Sequence, residues 1–154
     1  MRKLEMYPHG ISVGPVNIRP AMIFKDKTER EILPVWLDAV DASLLLASAQ
    51  GLHDAKRAHN AIFKIFDELK ISLKSVYFNE INVSTQYAIL TALQGKKTIE
   101  VRVRAAEAMS LAVNAGCVFY TDEDIIEKSR VLNLEWLHNS NPRVGNHGNF
   151  EGLH

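Results

Sequence analysis

Between Thr98 and Val113 the chain changes its hydrophobic period without passing through a turn. Ile99, Val101 and Val103 alternate with Glu100, Arg102 and Arg104, which puts apolar side chains on one strand face and charges on the other. From Ala105 the spacing becomes helical, through Ala108, Met109 and Ala112. A strand that runs straight into a helix limits the folds open to the chain, because the helix must pack back on the sheet that it leaves. It also opens the first N–H groups of the helix at the end of that sheet, where they have no intrahelical partner. Arg104 and Glu107 meet at this junction, a place suited to holding an anion.

The rest of the chain supplies the partners for this unit. Leu4–Tyr7 and Ile11–Val16 read as strand segments around Pro8 and Gly10, followed by Met22–Phe24 and then Ile32–Leu37, where Pro34 points to an edge strand or to the start of a strand. Asp38 and Asp41 have the spacing of a capping pair for a helix that Gly51 closes. A second helix follows Asp54, with a stripe of Ala58, Ile62, Ile65, Phe66 and Leu69. Leu73–Phe78, Gln86–Leu93 and the strand from Thr98 read as an antiparallel meander, joined by the Asn79–Ser84 linker and the turn Gly95-Lys96-Lys97. Cys117–Tyr120 forms a short strand, and Thr121 with Asp124 caps a last helix that ends near Leu132. The order β-β-β-α-α-β-β-β-α-β-α predicts an α+β fold: a mixed, largely antiparallel sheet with helices packed against it. Residues 1–132 form the domain, and the Asn- and Gly-rich segment 133–154 is expected to be a flexible tail.

Composition narrows the function classes. The 154 residues carry 18 basic and 18 acidic side chains, and this balance argues against a dedicated nucleic-acid grip, which usually needs a basic excess. A single cysteine, Cys117, excludes a disulfide framework and a cysteine-rich zinc site, and its apolar neighbours mark it as a buried thiol. No membrane span or secretory leader is visible, so the cytoplasm is expected. GxGxxG, P-loop, HExxH and GxSxG motifs are absent. His53 and His59 do not have the spacing that sets two ligands on one helix face. His138, His147 and His154 lie in the expected tail.

The candidate chemistry lies in charged residues at two predicted helix starts. Asp38 and Asp41 at one and Glu107 at the other are candidate ligands for a divalent cation such as Mg²⁺ or Mn²⁺, with arginines nearby to balance phosphate charge. Helix capping alone also accounts for acidic residues at these positions. Arg102, with Lys96 and Lys97, offers a basic stripe for phosphates or, equally, one side of a solvated charge ladder.

The segments Ile32-Leu-Pro-Val-Trp-Leu, Asp41-Ala42 with Gly51, and Arg104-Ala-Ala-Glu107-Ala108 with Leu111-Ala112 resemble the bifunctional nuclease domain family from about Ile32 to Leu132. That family places Glu-Ala in the first helix, Arg-Pro-x-Thr-His-Asp-Leu further on, and Asp-x-Arg-Pro-Ser-Asp-Ala at the strand–helix junction. Here Asp41 stands for the glutamate, and His59 remains from the second segment, with Ala55-Lys56 before it and Asn60 after it. Arg104 matches the junction arginine, whereas Arg102, Ala105, Ala106 and Glu107 replace its neighbours. The resemblance implies hydrolysis of RNA or DNA, with Asp41 and Glu107 binding or polarising, Arg104 stabilising phosphate charge and His59 as acid or base. The altered acidic positions leave a second reading open: a non-catalytic binding or regulatory module, as a homodimer, built on the Arg104/Glu107 junction. A third is a structural subunit in which those two charges pair with each other.

Overall fold

The computed structural model describes residues 2–13, 19–49 and 57–140; for 48, 49, 57–59 and 133–140 it describes backbone alone. Among the described residues seven strands and four helices follow in the predicted order. They are β1 (Lys3–Ser12), β2 (Ala21–Asp26), β3 (Ile32–Trp36), α1 (Ala39–Ala49), α2 (Arg57–Glu68), β4 (Ile71–Asn82), β5 (Thr85–Gln94), β6 (Lys97–Arg104), α3 (Ala105–Ala112), β7 (Val118–Asp122) and α4 (Glu123–Ser140). The strands make one sheet in the order β3-β2-β1-β7-β4-β5-β6. Every pairing is antiparallel except that of β4 with β7.

The sheet is curled, and helix contacts show why. In a flat sheet β3 and β6 would lie about six strand spacings, or ~29 Å, apart, while a helix is only ~10 Å wide. Yet α3 packs against β3, β4, β5 and β6 alike. The sheet therefore wraps around α3, whose alanines at 105, 108 and 112 are all buried and allow a close approach. Inward-facing Met6, Phe24, Leu33, Val35, Val76, Phe78 and Phe119 close over α3 and over Ile125 and Ile126 of α4. Phe24 joins the layers, with ring centroids 5.1 Å from Phe78 and 4.9 Å from Phe119.

All four tyrosines of the chain, Tyr7, Tyr77, Tyr87 and Tyr120, occupy strand positions out of phase with this core. Lys3 Nζ stands 4.5 Å from the Tyr77 ring centre and 4.7 Å from that of Tyr120, and the Tyr77 hydroxyl donates to Asp122. That hydrogen bond pushes the Tyr77 phenol up to about 12.

Several expected boundaries move. Pro8 and Gly10 do not separate two strands: β1 runs through them with a bulge, Gly10 taking φ 144. Asn79–Asn82 belong to β4, so the expected linker shrinks to the tight turn Val83-Ser84. Thr121 is a strand residue rather than a helix cap, because its hydroxyl donates to the Phe78 carbonyl at 2.9 Å inside the core. Helix α4 continues to Ser140, so residues 133–140 are helical where a tail was expected. His138 is therefore on that helix, while Gly51, His53, Asp54, His147 and His154 lie outside the described residues. The α2 stripe is only partly covered, with Ile65 and Leu69 exposed. No helix among the described residues is long and apolar enough to cross a membrane.

Candidate functional site

Curling brings the two ends of the sheet toward each other and leaves a seam between β3 and β5. One side chain bridges it. Gln86 points inward from β5 and is buried; its Oε1 accepts the Trp36 N–H at 2.7 Å, and its Nε2 donates to the Pro34 carbonyl at 2.8 Å. It thus serves the free edge of β3 as a neighbouring strand would. Arg19 adds a second bridge, with Nη1 donating to the Ser84 carbonyl at 2.9 Å and its guanidinium 5.2 Å from the centre of the Trp36 ring.

Over this seam lies a cleft of about 140 Å³. Asp38 and Asp41 enter it from the start of α1, and Arg104, Ala106 and Glu107 from the β6–α3 junction. Arg19, Trp36, Ser84, Thr85 and Gln86 complete its walls. Four of the residues singled out from the sequence, Asp38, Asp41, Arg104 and Glu107, therefore meet although they come from segments more than 60 positions apart.

Their local roles differ. Asp38 is the helix cap that the spacing predicts: its Oδ1 accepts the Asp41 N–H at 2.7 Å. Arg104 occupies the corresponding position before α3 but makes no side-chain cap, so the first N–H groups of that helix have no side-chain acceptor from it. Among the described residues no ion pair joins Arg104 to Glu107, which removes the basis for a junction whose charges serve only each other. Arg104 and Glu107 are both exposed at the cleft.

The donor set does not make a ready metal centre. Among the described residues no three of His, Cys, Asp and Glu are grouped so that they could hold a metal ion. Asp38, Asp41 and Glu107 share the cleft without forming such a group, and one Asp38 oxygen already serves the α1 backbone. What the cleft offers an anion is Arg104, Arg19 and the start of α3, set against its three carboxylates.

The remaining sequence candidates lie elsewhere. Arg102 is two residues from Arg104 on the same strand face, but its guanidinium sits 3.8 Å over the Tyr87 ring and pairs with Glu80 Oε2 at 2.9 Å. Lys96 is in the turn before β6 and Lys97 at its start. Seven residues of strand at ~3.3 Å each set Lys97 ~23 Å from Arg104, so within one chain these cations do not share the cleft. His59 is on α2, and its side chain is outside the described residues. Cys117 is half-buried rather than fully buried, and burial pushes its thiol up, away from the reactive thiolate.

Sequence reasoning missed Arg19, Trp36 and Gln86. Gln86 left one legible trace, as a polar residue in phase with Ala88, Leu90 and Ala92, where an apolar side chain belongs. Arg19 left none, since only the curl of the sheet brings it to Ser84.

Comparison with known proteins gives this geometry a family. The uncharacterized proteins MT1877 and Rv1829 of Mycobacterium tuberculosis (strains CDC 1551 / Oshkosh and ATCC 25618 / H37Rv) are each 23% identical to the chain over 124 residues, covering 80% of this chain and 74% of their own length. Residues 22–133, nearly three quarters of the chain, match the bifunctional nuclease domain, and that span contains β2 through most of α4 and every cleft residue named above except Arg19. The chain belongs to the bifunctional nuclease domain family.

Proposed function

We propose that the cleft binds a phosphodiester of RNA or DNA and hydrolyses it. The observation that carries this reading is the convergence of Arg104 and Arg19 with Asp41 and Glu107 in one small cleft at the open end of α3. Its volume of about 140 Å³ suits a phosphate group and not a whole nucleotide, so the backbone enters while the bases stay outside.

In this mechanism Arg104 and the first amides of α3 hold the non-bridging oxygens and stabilise the charge that builds up at phosphorus. Arg19 adds a second cation at the rim. Glu107 or Asp41 takes a proton from the attacking water as its oxygen bonds to phosphorus. The bond to the leaving oxygen then breaks, and that oxygen accepts a proton, with His59 as the candidate acid. No step is assigned to a metal ion, because the described carboxylates do not form a ligand group.

A fluorescent single-stranded RNA and its DNA counterpart test the reading, incubated with purified protein with and without Mg²⁺ or Mn²⁺. Arg104→Ala should lower cleavage ~100-fold, the effect of removing one preorganised donor to a developing oxyanion, with an unchanged circular dichroism spectrum. Equal cleavage by the wild type and an Arg104→Ala/Glu107→Ala variant would assign the activity to a contaminant.

A second reading, binding without turnover, draws on the absence of a ligand cluster among the described residues and on the family positions changed at Arg102 and Glu107. Saturable oligonucleotide binding without any cleavage would favour it.

A further inference from the structure

A cleft of about 140 Å³ has room for a phosphate, so the bases next to that phosphate must lie on the surface around it. Two aromatic rings stand there, and each has an arginine guanidinium against it. Trp36 ends β3 and lines the cleft, with the Arg19 guanidinium 5.2 Å from its ring centre. Tyr87 of β5 is directly opposite Arg104 in the β5–β6 pair, with the Arg102 guanidinium 3.8 Å from its ring centre. Both rings are half-buried. Trp36 follows the buried Val35, and Tyr87 lies between the buried Gln86 and Ala88, so both rings stand on the sheet face away from the core. Gln86 also sets the distance between them. It is the residue before Tyr87, and its Oε1 holds the Trp36 N–H at 2.7 Å.

Charge gives this cleft little affinity of its own. Arg19 and Arg104 share it with three carboxylates, those of Asp38, Asp41 and Glu107, and the chain carries no net charge. Stacking is the stronger force available. A base laid on an aromatic ring gains ~5- to 100-fold in affinity, whichever base it is, because every base has a π-face. The arginines against the rings do not block this. A cation–π contact at an exposed site is weaker than the stacking of a base, so Arg19 can yield its place at Trp36. Arg102 has its charge taken by Glu80 at 2.9 Å, which leaves its exposed guanidinium plane as a surface on which a base can lie. In a duplex the bases are already paired and stacked on one another, and the rings gain nothing until the strand is opened.

We propose that Trp36 and the Tyr87–Arg102 pair stack the bases next to the phosphate held at Arg104, so that the cleft takes single-stranded nucleic acid in preference to duplex. This rests on the phosphodiester reading above and adds to it the class of substrate. It also gives Arg102 a part in binding as a plane, where its pairing with Glu80 denies it one as a free cation.

Three probes test the stacking: a short fluorescein-labelled oligothymidylate, the same backbone with tetrahydrofuran in place of every base, and the oligothymidylate annealed to its complement. Phosphorothioate linkages in all three slow cleavage during an anisotropy titration of the full chain. The base-bearing single strand should bind at least ~5-fold more tightly than either the base-free strand or the duplex. Trp36→Leu should weaken binding of the base-bearing strand ~5-fold or more and leave the base-free strand where it was. Trp36→Phe, which keeps a ring, should recover most of that loss. Tyr87→Leu should act as Trp36→Leu does. A ring that only holds the fold together moves both single strands alike, so equal losses with both probes overturn the proposal for that ring. A duplex bound as tightly as the base-bearing strand overturns the preference for single strands.

A second measurement leaves both rings in place. The chain has two tryptophans, so Trp136→Phe makes Trp36 the sole tryptophan emitter. Oligothymidylate should quench that emission along the same curve as the anisotropy, and the base-free strand should not. A bound oligothymidylate that leaves the emission unchanged overturns stacking on Trp36. Equal binding of the base-bearing and base-free strands overturns this proposal and leaves the phosphodiester reading, whereas a chain that binds neither single strand overturns both.

Discussion

Gln86 ties the β3 edge to β5 with one side chain. Its amide is buried, and both of its bonds go to the backbone of a strand five places away in the sheet order. Replacing it leaves the Trp36 N–H and the Pro34 carbonyl without their partners, and a buried backbone group left unpaired costs ~1–3 kcal/mol. Gln86→Met keeps most of the volume, so its loss reports the two bonds; Gln86→Ala adds a cavity to that loss. Both should lower the urea midpoint with an unchanged slope, Ala more than Met. Unchanged stability in Gln86→Met would show that the seam does not depend on the two Gln86 hydrogen bonds. Asp26 plays a comparable part in the β2–β3 turn: its carboxylate accepts the N–H groups of Arg30 at 3.0 Å and Glu31 at 2.9 Å and the Thr28 hydroxyl at 2.6 Å. The Thr28 hydroxyl, foremost among these donors, holds its carboxyl below the usual range.

At the scale of elements, the two helices that face the cleft start in opposite ways. Helix α1 has an acidic cap, and α3 follows an arginine that does not cap it. This contrast separates structure from chemistry at Asp38. Asparagine caps a helix about as well as aspartate, so Asp38→Asn should match the wild type in thermal stability and in cleavage, whereas Asp38→Ala should lose ~1 kcal/mol of stability. A variant Asp38→Asn that is stable but inactive would move Asp38 from the helix to the reaction. The elements themselves were largely legible in the sequence, because alternation and helical spacing survive wherever one face of an element is buried. The β6–α3 junction, the meander before it and the Asp38 cap all appear where their residues placed them. The misplacements share a cause in tertiary pairing. Pro8 and Gly10 look like a break, yet β2 pairs with β1 before and after them, from Met6 to Ser12, and takes the irregularity up as a bulge. Thr121 has the spacing of a cap, yet its hydroxyl is taken by Phe78 across the sheet. Half of the cleft was legible for the same reason that the elements were: helix starts announce themselves. Arg19 and Trp36 reach it only through the curl, which no local pattern encodes.

The whole molecule sets how strongly such a cleft can hold nucleic acid. Eighteen basic and eighteen acidic residues leave no net field to draw a polyanion in from a distance, so affinity must come from local contacts. Several cations outside the cleft are already engaged: Arg102 by Glu80 and Tyr87, Arg130 by Glu127, and Lys3 over Tyr77 and Tyr120. Two arginines, Arg19 and Arg104, line the cleft of one chain. Each phosphate neutralised on a single strand contributes ~−0.7 to the slope of log K against log salt, and the cleft has room for one phosphate, so the slope should be ~−0.7. Fluorescence anisotropy of a short labelled RNA across a salt series measures this directly. A slope much steeper than one phosphate allows would place the binding surface outside the cleft, on cations that the fold has already paired. A slope near zero would mean that no phosphate is held at Arg104, and the cleft would then have to be read as a site for some smaller anion or for none.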